Sequence, residues 1–229
     1  TDGSATGGGT DYTSTLSNAA FSNGVSIAAG VITVPAGVTS FTVTVPTSSD
    51  TIDEVNETYT LAVGAASGTG TINDDDNAPT VSSVSAATQI EGTTLVHTVT
   101  LSNASSSVTT FAYSLGGGSA TGGTDYTTPP TFSNGVTLSG GVLSVPAGVT
   151  SFTVSVPSTL DTIDEGASET YDLSVGGVAA VGTITDDDAI LPKGEKTRPK
   201  ANIGAAPIAG IWPNRHQGAR PSFRQPGLP

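Results

Sequence analysis

The sequence repeats itself at a spacing near 112 residues, and that spacing restricts the possible folds more than any other feature. SATGGGTDYT at 4–13 returns as SATGGTDYT at 119–127, FSNGV at 21–25 returns at 132–136, and VPAGVTSFTV at 34–43 returns unchanged at 145–154. DTIDE at 50–54 returns at 161–165, and GTINDDD at 70–76 returns as GTITDDD at 182–188. A period of this length is a whole domain rather than one turn of a solenoid. The second copy is complete from about Ala78 to Asp188, whereas the first has nothing corresponding to 78–118. The expected organisation is a partial, N-terminally truncated repeat at 1–77, a complete repeat at 78–188, and a separate segment at 189–229.

Within the repeats, apolar and polar residues alternate. Phe41, Val43 and Val45 alternate with Thr42 and Thr44 in 40–46, and Phe152, Val154 and Val156 do the same in 151–157. Tyr59, Leu61 and Val63 share one face of 57–63, matched by Tyr171, Leu173 and Val175. Leu95, His97, Val99 and Leu101 share one face of 95–101, with threonines opposite. This period of two, with turns such as Asn134-Gly135 and Pro146-Ala147-Gly148, predicts short, half-buried strands. Seven or so of them in about 110 residues predict an all-β, antiparallel sandwich with a core of Val, Phe and Tyr. The partial copy is expected to leave one sheet edge unpaired.

Charge divides the chain at the same place as composition. All seven Lys and Arg lie from Lys193 onward, so residues 1–192 carry 19 acidic groups and no basic side chain except His97. Such a body has nothing with which to neutralise a phosphate, which excludes nucleic-acid binding by 1–192. The absence of Cys excludes disulfides and thiolate metal sites. No apolar run approaches the roughly 18–20 residues that cross a bilayer, so no transmembrane segment is expected. No signal peptide is visible either, and Thr1 falls inside a pattern, as in a fragment. Residues 189–229 hold seven prolines and the single Trp without alternation, which predicts a disordered basic tail; basic runs of this kind are usually just solvated, or foreign to the repeats they follow, and binding to an anionic surface is the alternative. An enzyme is not expected. His97 falls on the apolar face of its strand as a packing residue, His216 lies in the tail, and aromatics, 5% of the chain, are mostly placed as strand core.

The chemistry therefore rests on carboxylates that no lysine or arginine can neutralise. Converging in a loop, like charges raise one another's pKa or bind a cation. An oxygen-only set on flexible loops suits calcium, which takes six to eight oxygen ligands. Asp-rich loops that merely cap turns fit the same composition equally well.

Ile90-Glu91-Gly92, GGTDY at 122–126, DTIDE at 161–165, ETY at 169–171 and GTITDDD at 182–188 together resemble a Calx-beta domain. The resemblance covers 78–188 fully and, at 4–76, the latter part of a second copy. It implies an immunoglobulin-like sandwich with calcium ions in loops at one end. It also implies calcium ligands at Glu91, Asp125, Asp161, Glu165, Asp186, Asp187 and Asp188. In the partial copy the matching positions are Asp11, Asp50, Glu54, Asp74, Asp75 and Asp76. Members of the family often carry an acidic residue just before the position of Asp161, where this chain has Leu160, or Ser49 in the partial copy. One ligand fewer implies affinity toward the weak end, about 10⁻⁴–10⁻³ M as for extracellular modules. The partial copy has no counterpart of Glu91, so its site is expected to be weaker still.

Two functions follow from the resemblance. The first is a calcium-binding structural or adhesive module of a repetitive secreted or cell-surface bacterial protein, with neighbouring repeats and a cell-surface or matrix ligand as partners. In it, calcium stiffens the inter-repeat junction. The second is a calcium-responsive regulatory module of a membrane-associated cell-communication protein. Near-verbatim tandem copies and a Thr/Ser/Gly/Val-rich composition favour the first.

Overall fold

Alternation of the kind seen at 95–101 is stable only where one face of a strand meets a core, and the backbone distributes itself accordingly. A computed structural model describes residues 3–188; the tail expected to be disordered lies outside the described residues. The first copy forms β1 (Ser26–Ala28), β2 (Val31–Thr33), β3 (Ile52–Asp53), β4 (Glu57–Val63) and β5 (Ala66–Ile72), with one 3₁₀ turn at Asn18–Ala20. The second forms β6 (Val81–Val84), β7 (Ala87–Ile90), β8 (Thr94–Leu101), β9 (Ala104–Ser105), β10 (Thr109–Gly116) and β11 (Thr131–Phe132). It continues with β12 (Thr137–Ser139), β13 (Val142–Val145), β14 (Ser151–Pro157), β15 (Glu169–Val175) and β16 (Val178–Thr185).

The complete copy is a two-sheet sandwich. One sheet runs β12-β13-β10-β15-β16-β7 and the other β11-β14-β8-β6. Neighbours are antiparallel except β16 and β7, which are parallel. The chain enters on an edge of one sheet as β6, beside β8, and crosses within two residues to the edge of the other as β7. That crossing delivers Glu91 to the end of the sandwich where β16 finishes.

The inward faces are those the alternation predicts. Leu95, His97, Val99 and Leu101 of β8, Phe152, Val154 and Val156 of β14, and Tyr171, Leu173 and Val175 of β15 are all buried. His97 joins the two sheets. Its Nδ1 lies 2.7 Å from the Ser85 carbonyl, to which it donates, and Nε2 lies 2.9 Å from Tyr171 Oη, from which it accepts. Burial lowers its pKa, opposed by the Ser85 carbonyl, so the ring is held neutral. Tyr171 also lies over Gly182, its cross-strand partner, where an added Cβ would come within 2.1 Å of the ring. Tyr59 and Gly70 repeat that close approach in the first copy.

The first copy departs from expectation at 40–46. This segment forms no extended strand; it keeps one isolated bridge, Phe21 with Val43, and a few backbone hydrogen bonds, with a second bridge, Tyr12 with Thr47, just beyond it. The reason is a missing partner. In the complete copy, β14 holds its conformation against seven residues of β8, and the first copy has no β8. Its buried apolar residues are correspondingly few: Ala5, Tyr12 and Val25.

The copies meet through a short parallel ladder between β3 and β9, pairing Ile52 with Ala104 and Asp53 with Ser105. Ser106 N–H donates to the Asp53 carbonyl at 2.9 Å. Asn103 Nδ2 donates to the Asn77 carbonyl at 2.8 Å. Ser105 is buried, and its carbonyl accepts from Gly148 N–H, so the contact is anchored in the second copy's own turn.

Candidate metal centre

The acidic end of the complete copy is assembled from four loops and strand ends. Glu91 follows β7 and is only 5% exposed. It is aimed by Gly92, whose N–H donates to the Thr159 carbonyl at 3.2 Å and whose φ of +73° suits glycine alone. A Cβ at Gly92 would stand 2.8 Å from Leu160 Cβ, so the Glu91 turn and the acidic loop close on each other at this point. Leu160, where the family often has a carboxylate, is itself exposed and supplies no oxygen.

Asp125 is 9% exposed and fixed locally. Its Oδ2 accepts from Thr121 N–H at 2.6 Å, its N–H donates to the Thr121 carbonyl at 2.9 Å, and its carbonyl accepts from Thr159 N–H at 2.9 Å. Asp161 Oδ1 accepts from Ile163 N–H at 2.7 Å, and Asp186 Oδ1 accepts from Asp188 N–H at 3.2 Å. The first copy repeats these local bonds. Asp11 Oδ2 accepts from Thr6 N–H at 2.5 Å and Asp50 Oδ1 from Ile52 N–H at 2.8 Å.

These constraints draw carboxylates into threes. Glu91, Asp161 and Asp188 form one group, Asp125, Glu165 and Glu169 a second, and Asp11, Glu54 and Glu57 a third, in the first copy. Within each group, one oxygen from every member lies within 4.8 Å of the others. One cation could therefore touch an oxygen from each of the three, as a calcium ion with oxygen ligands about 2.4 Å away would. Two buried oxygens, Glu91 Oε1 and Glu169 Oε2, have no hydrogen-bond donor. A buried carboxylate oxygen without a donor is costly unless a cation or proton meets it, and no lysine or arginine occurs before residue 193.

Not every expected position enters a group of three. Asp186 and Asp187 stand beside them: Asp187 hydrogen-bonds with Glu91, and Asp186 adds its charge to the field at Glu165. In the first copy Asp50, Asp74, Asp75 and Asp76 line one cleft with Asp11, Glu54 and Glu57. Among the described residues, none of the first copy stands where Glu91 stands in the complete copy. Glu57 and Glu169 were not among the expected ligands. The signal was present, because Glu169 lies two residues before the inward Tyr171, and Glu57 two before Tyr59. Period-two alternation therefore turns each glutamate inward at the strand's end.

The electrostatics follow from carboxylates without counter-charges. Glu54, Glu57, Glu165 and Glu169 are all raised, by desolvation first and then by the neighbouring acids. Glu91 is pushed up to about 7, chiefly by burial, then by its hydrogen bond with Asp187 and the charges of Asp161, Asp188 and Asp187. Without metal, the fold therefore retains a proton on Glu91 that the unfolded chain releases near 4.5. The resulting stabilisation is complete below about pH 4.5 and is lost as pH rises through about 7. A cation must displace that proton. Calcium affinity is thus expected to increase from about pH 6 to 8 with proton release on binding. Titration calorimetry in buffers of different ionisation enthalpy measures the released protons; pH-independent binding would refute the assignment of Glu91.

Residues 1–84 and 74–181 match the Calx-beta domain. The structure of CBD12 from CALX1.2 is similar over 45% of this chain and 43% of that one, at 23% identity and a TM-score of 0.34. No curated protein matches by sequence. Calx-beta domains are non-catalytic, calcium-binding β-sandwich modules of extracellular or membrane-protein regions. Among the described residues no helix is long and apolar enough to cross a membrane. With matches over both copies of the repeat, the chain belongs to the Calx-beta domain family.

Proposed function

We propose that this chain is a calcium-binding structural module of a repetitive bacterial protein, extracellular or on the cell surface, in which the ion stiffens the contact between repeats. The observation that carries this reading is the convergence of carboxylates in threes around donor-less buried oxygens, in a body with no lysine or arginine. Glu91, Asp161 and Asp188 would hold one ion and Asp125, Glu165 and Glu169 another, with Asp186 and Asp187 completing the field. Asp11, Glu54 and Glu57, with Asp50 and Asp74–Asp76 beside them, would hold the first copy's ion more weakly.

Stiffening has a physical route. The loop bearing Asp50 and Glu54 is continuous with β3, whose Asp53 pairs with Ser105 of the next copy. Without metal, Asp50 of this loop and Asp11, Asp74 and Asp76 around it repel Glu54, and physiological salt does little to screen charges closer than about 8 Å. A cation removes that repulsion and fixes the loop from which the inter-repeat ladder grows.

Calorimetry on the full chain is expected to give calcium heat at about 10⁻⁴–10⁻³ M and a weaker magnesium response, because magnesium demands tighter octahedral geometry. No heat at millimolar calcium would overturn the binding. Small-angle scattering of a protein with two complete copies then tests the mechanical reading. An unchanged maximum dimension and flexibility between chelator and saturating calcium would remove the stiffening role even if the ion binds.

A further inference from the structure

The turn at 90–93 carries Glu91 into a field of like charge, so the neighbouring carboxylates push its side chain out of the site rather than in. Neutral hydrogen bonds oppose that push. Glu91 N–H donates to the Thr185 carbonyl at 3.0 Å, and Thr185 leads directly into Asp186, Asp187 and Asp188. Gly92 N–H donates to the Thr159 carbonyl, and Thr159 stands two residues before Asp161. One turn therefore ties together the chain segments that supply Glu91, Asp161 and Asp188.

The last position of the turn is held by side-chain hydroxyls. Ser158 is buried and meets Thr93 in both directions. Its Oγ donates to the Thr93 carbonyl at 2.6 Å, and the same Oγ accepts from Thr93 N–H at 3.1 Å. Thr93 Oγ1 donates in turn to the Ile90 carbonyl at 2.5 Å, which closes the turn across Glu91. On its other side this segment is bonded to the Asp125 loop. Ser158 bridges Tyr126, and Thr127 N–H donates to the Pro157 carbonyl at 2.8 Å. Ser158 therefore stands on a fixed base and directs its hydroxyl at the Glu91 turn.

We propose that Ser158 and Thr93 are positioning residues of the calcium site, whose hydroxyls hold the Glu91 carboxylate within reach of Asp161 and Asp188 before the ion arrives. This role rests on the calcium reading above and specifies how one of its sites is built. A carboxylate already held against repulsion does not have to be gathered when the ion binds, so the ordering cost falls on folding instead of on binding. Without the hydroxyls, the turn relaxes away from Asp161 and Asp188. In the first copy Thr47 takes the place of Ser158 and makes the same bridge, to Tyr12, so a threonine fits this position.

The test compares Ser158→Ala with Ser158→Thr, and Thr93→Val with Thr93→Ser, in the full chain. Calcium titration calorimetry and urea unfolding, in chelator and in saturating calcium, are the readouts. Ser158→Ala is expected to raise the calcium Kd about tenfold and Thr93→Val about threefold, the scale of one or two lost hydrogen bonds, while the two hydroxyl-bearing variants stay within about twofold of the parent. Ser158→Ala should also lose more of its urea midpoint in calcium than in chelator, because a weaker site adds less to stability. An unaltered Kd, equal losses of midpoint in the two conditions, or a Ser158→Thr Kd as weak as that of Ser158→Ala would make Ser158 a packing residue and overturn the role. Thr93 is exposed, so if Ser158→Ala fails to fold, Thr93→Val decides in the same way. No calcium heat from the parent overturns the calcium reading and this role with it. Heat from the parent that Ser158→Ala leaves unchanged overturns the positioning role alone.

Discussion

Glu91→Gln is expected to separate calcium affinity from fold stability. The amide keeps the shape of the side chain but cannot carry charge, so the Asp161–Asp188 group loses one of its three anionic oxygens. Truncating a partner in a buried charge contact costs about 2 kcal/mol or more, or roughly a 30-fold loss of affinity. In chelator at about pH 8, however, the variant should unfold at higher denaturant than the parent, because it no longer buries a carboxylate among three others. It should also lose the pH dependence of calcium binding near 7. Titration calorimetry and urea unfolding, each with and without calcium, read both effects. A variant less stable in chelator and unaltered in calcium affinity would show Glu91 to be a packing residue.

The second large effect is at the bridge between the sheets. His97→Ala removes a fully buried ring and its two hydrogen bonds, and leaves Tyr171 Oη and the Ser85 carbonyl facing a void. The expected cost is about 3–5 kcal/mol, a large part of an ordinary domain's stability. Adding Tyr171→Phe to His97→Leu should recover about 1 kcal/mol by removing the orphaned hydroxyl, a coupling that a double-mutant cycle in urea measures. Because burial lowers the pKa of His97, its contribution is complete above the unfolded value of about 6.5 and falls as pH drops toward the folded pKa. Its sign is thus opposite to that of Glu91. Losses below 0.5 kcal/mol for His97→Ala would mean that the two sheets do not depend on this contact.

The residues that proved legible in the sequence are those whose role is set by local periodicity or by repetition. Leu95, His97, Val99 and Leu101 had to share a face, and a sandwich was the only place for so many such faces. Asp125, Asp161 and Glu91 could be singled out because their motifs resemble those of a family, while charge alone left them equally suited to turn caps. Two kinds of information were not local. Glu57 and Glu169 sit at inward positions of strands otherwise read as core, and only the convergence of other loops on the strand ends makes them part of the acidic groups. The state of 40–46 was misread for the converse reason. Its alternation is that of β14, but a strand is a property of a pair, and the partner's absence lies elsewhere in the chain.

The ladder between β3 and β9 joins unlike ends. β8 runs about 24 Å from Thr94, beside the carboxylates, to Leu101, beside the turn that receives the first copy. Asp53 belongs to the acidic end of one repeat, and Ser105 to the opposite end of the next. A contact between two different patches has no twofold axis through it, so it is heterologous and repeatable without closure. Any further repeat joined in the same way would point its acidic end in the same direction as its predecessors. Pulled from its ends, such a chain would load two short ladder pairings at each junction in series, in the direction along which parallel strands shear. Its resistance would then be set by the weakest junction rather than by the average repeat.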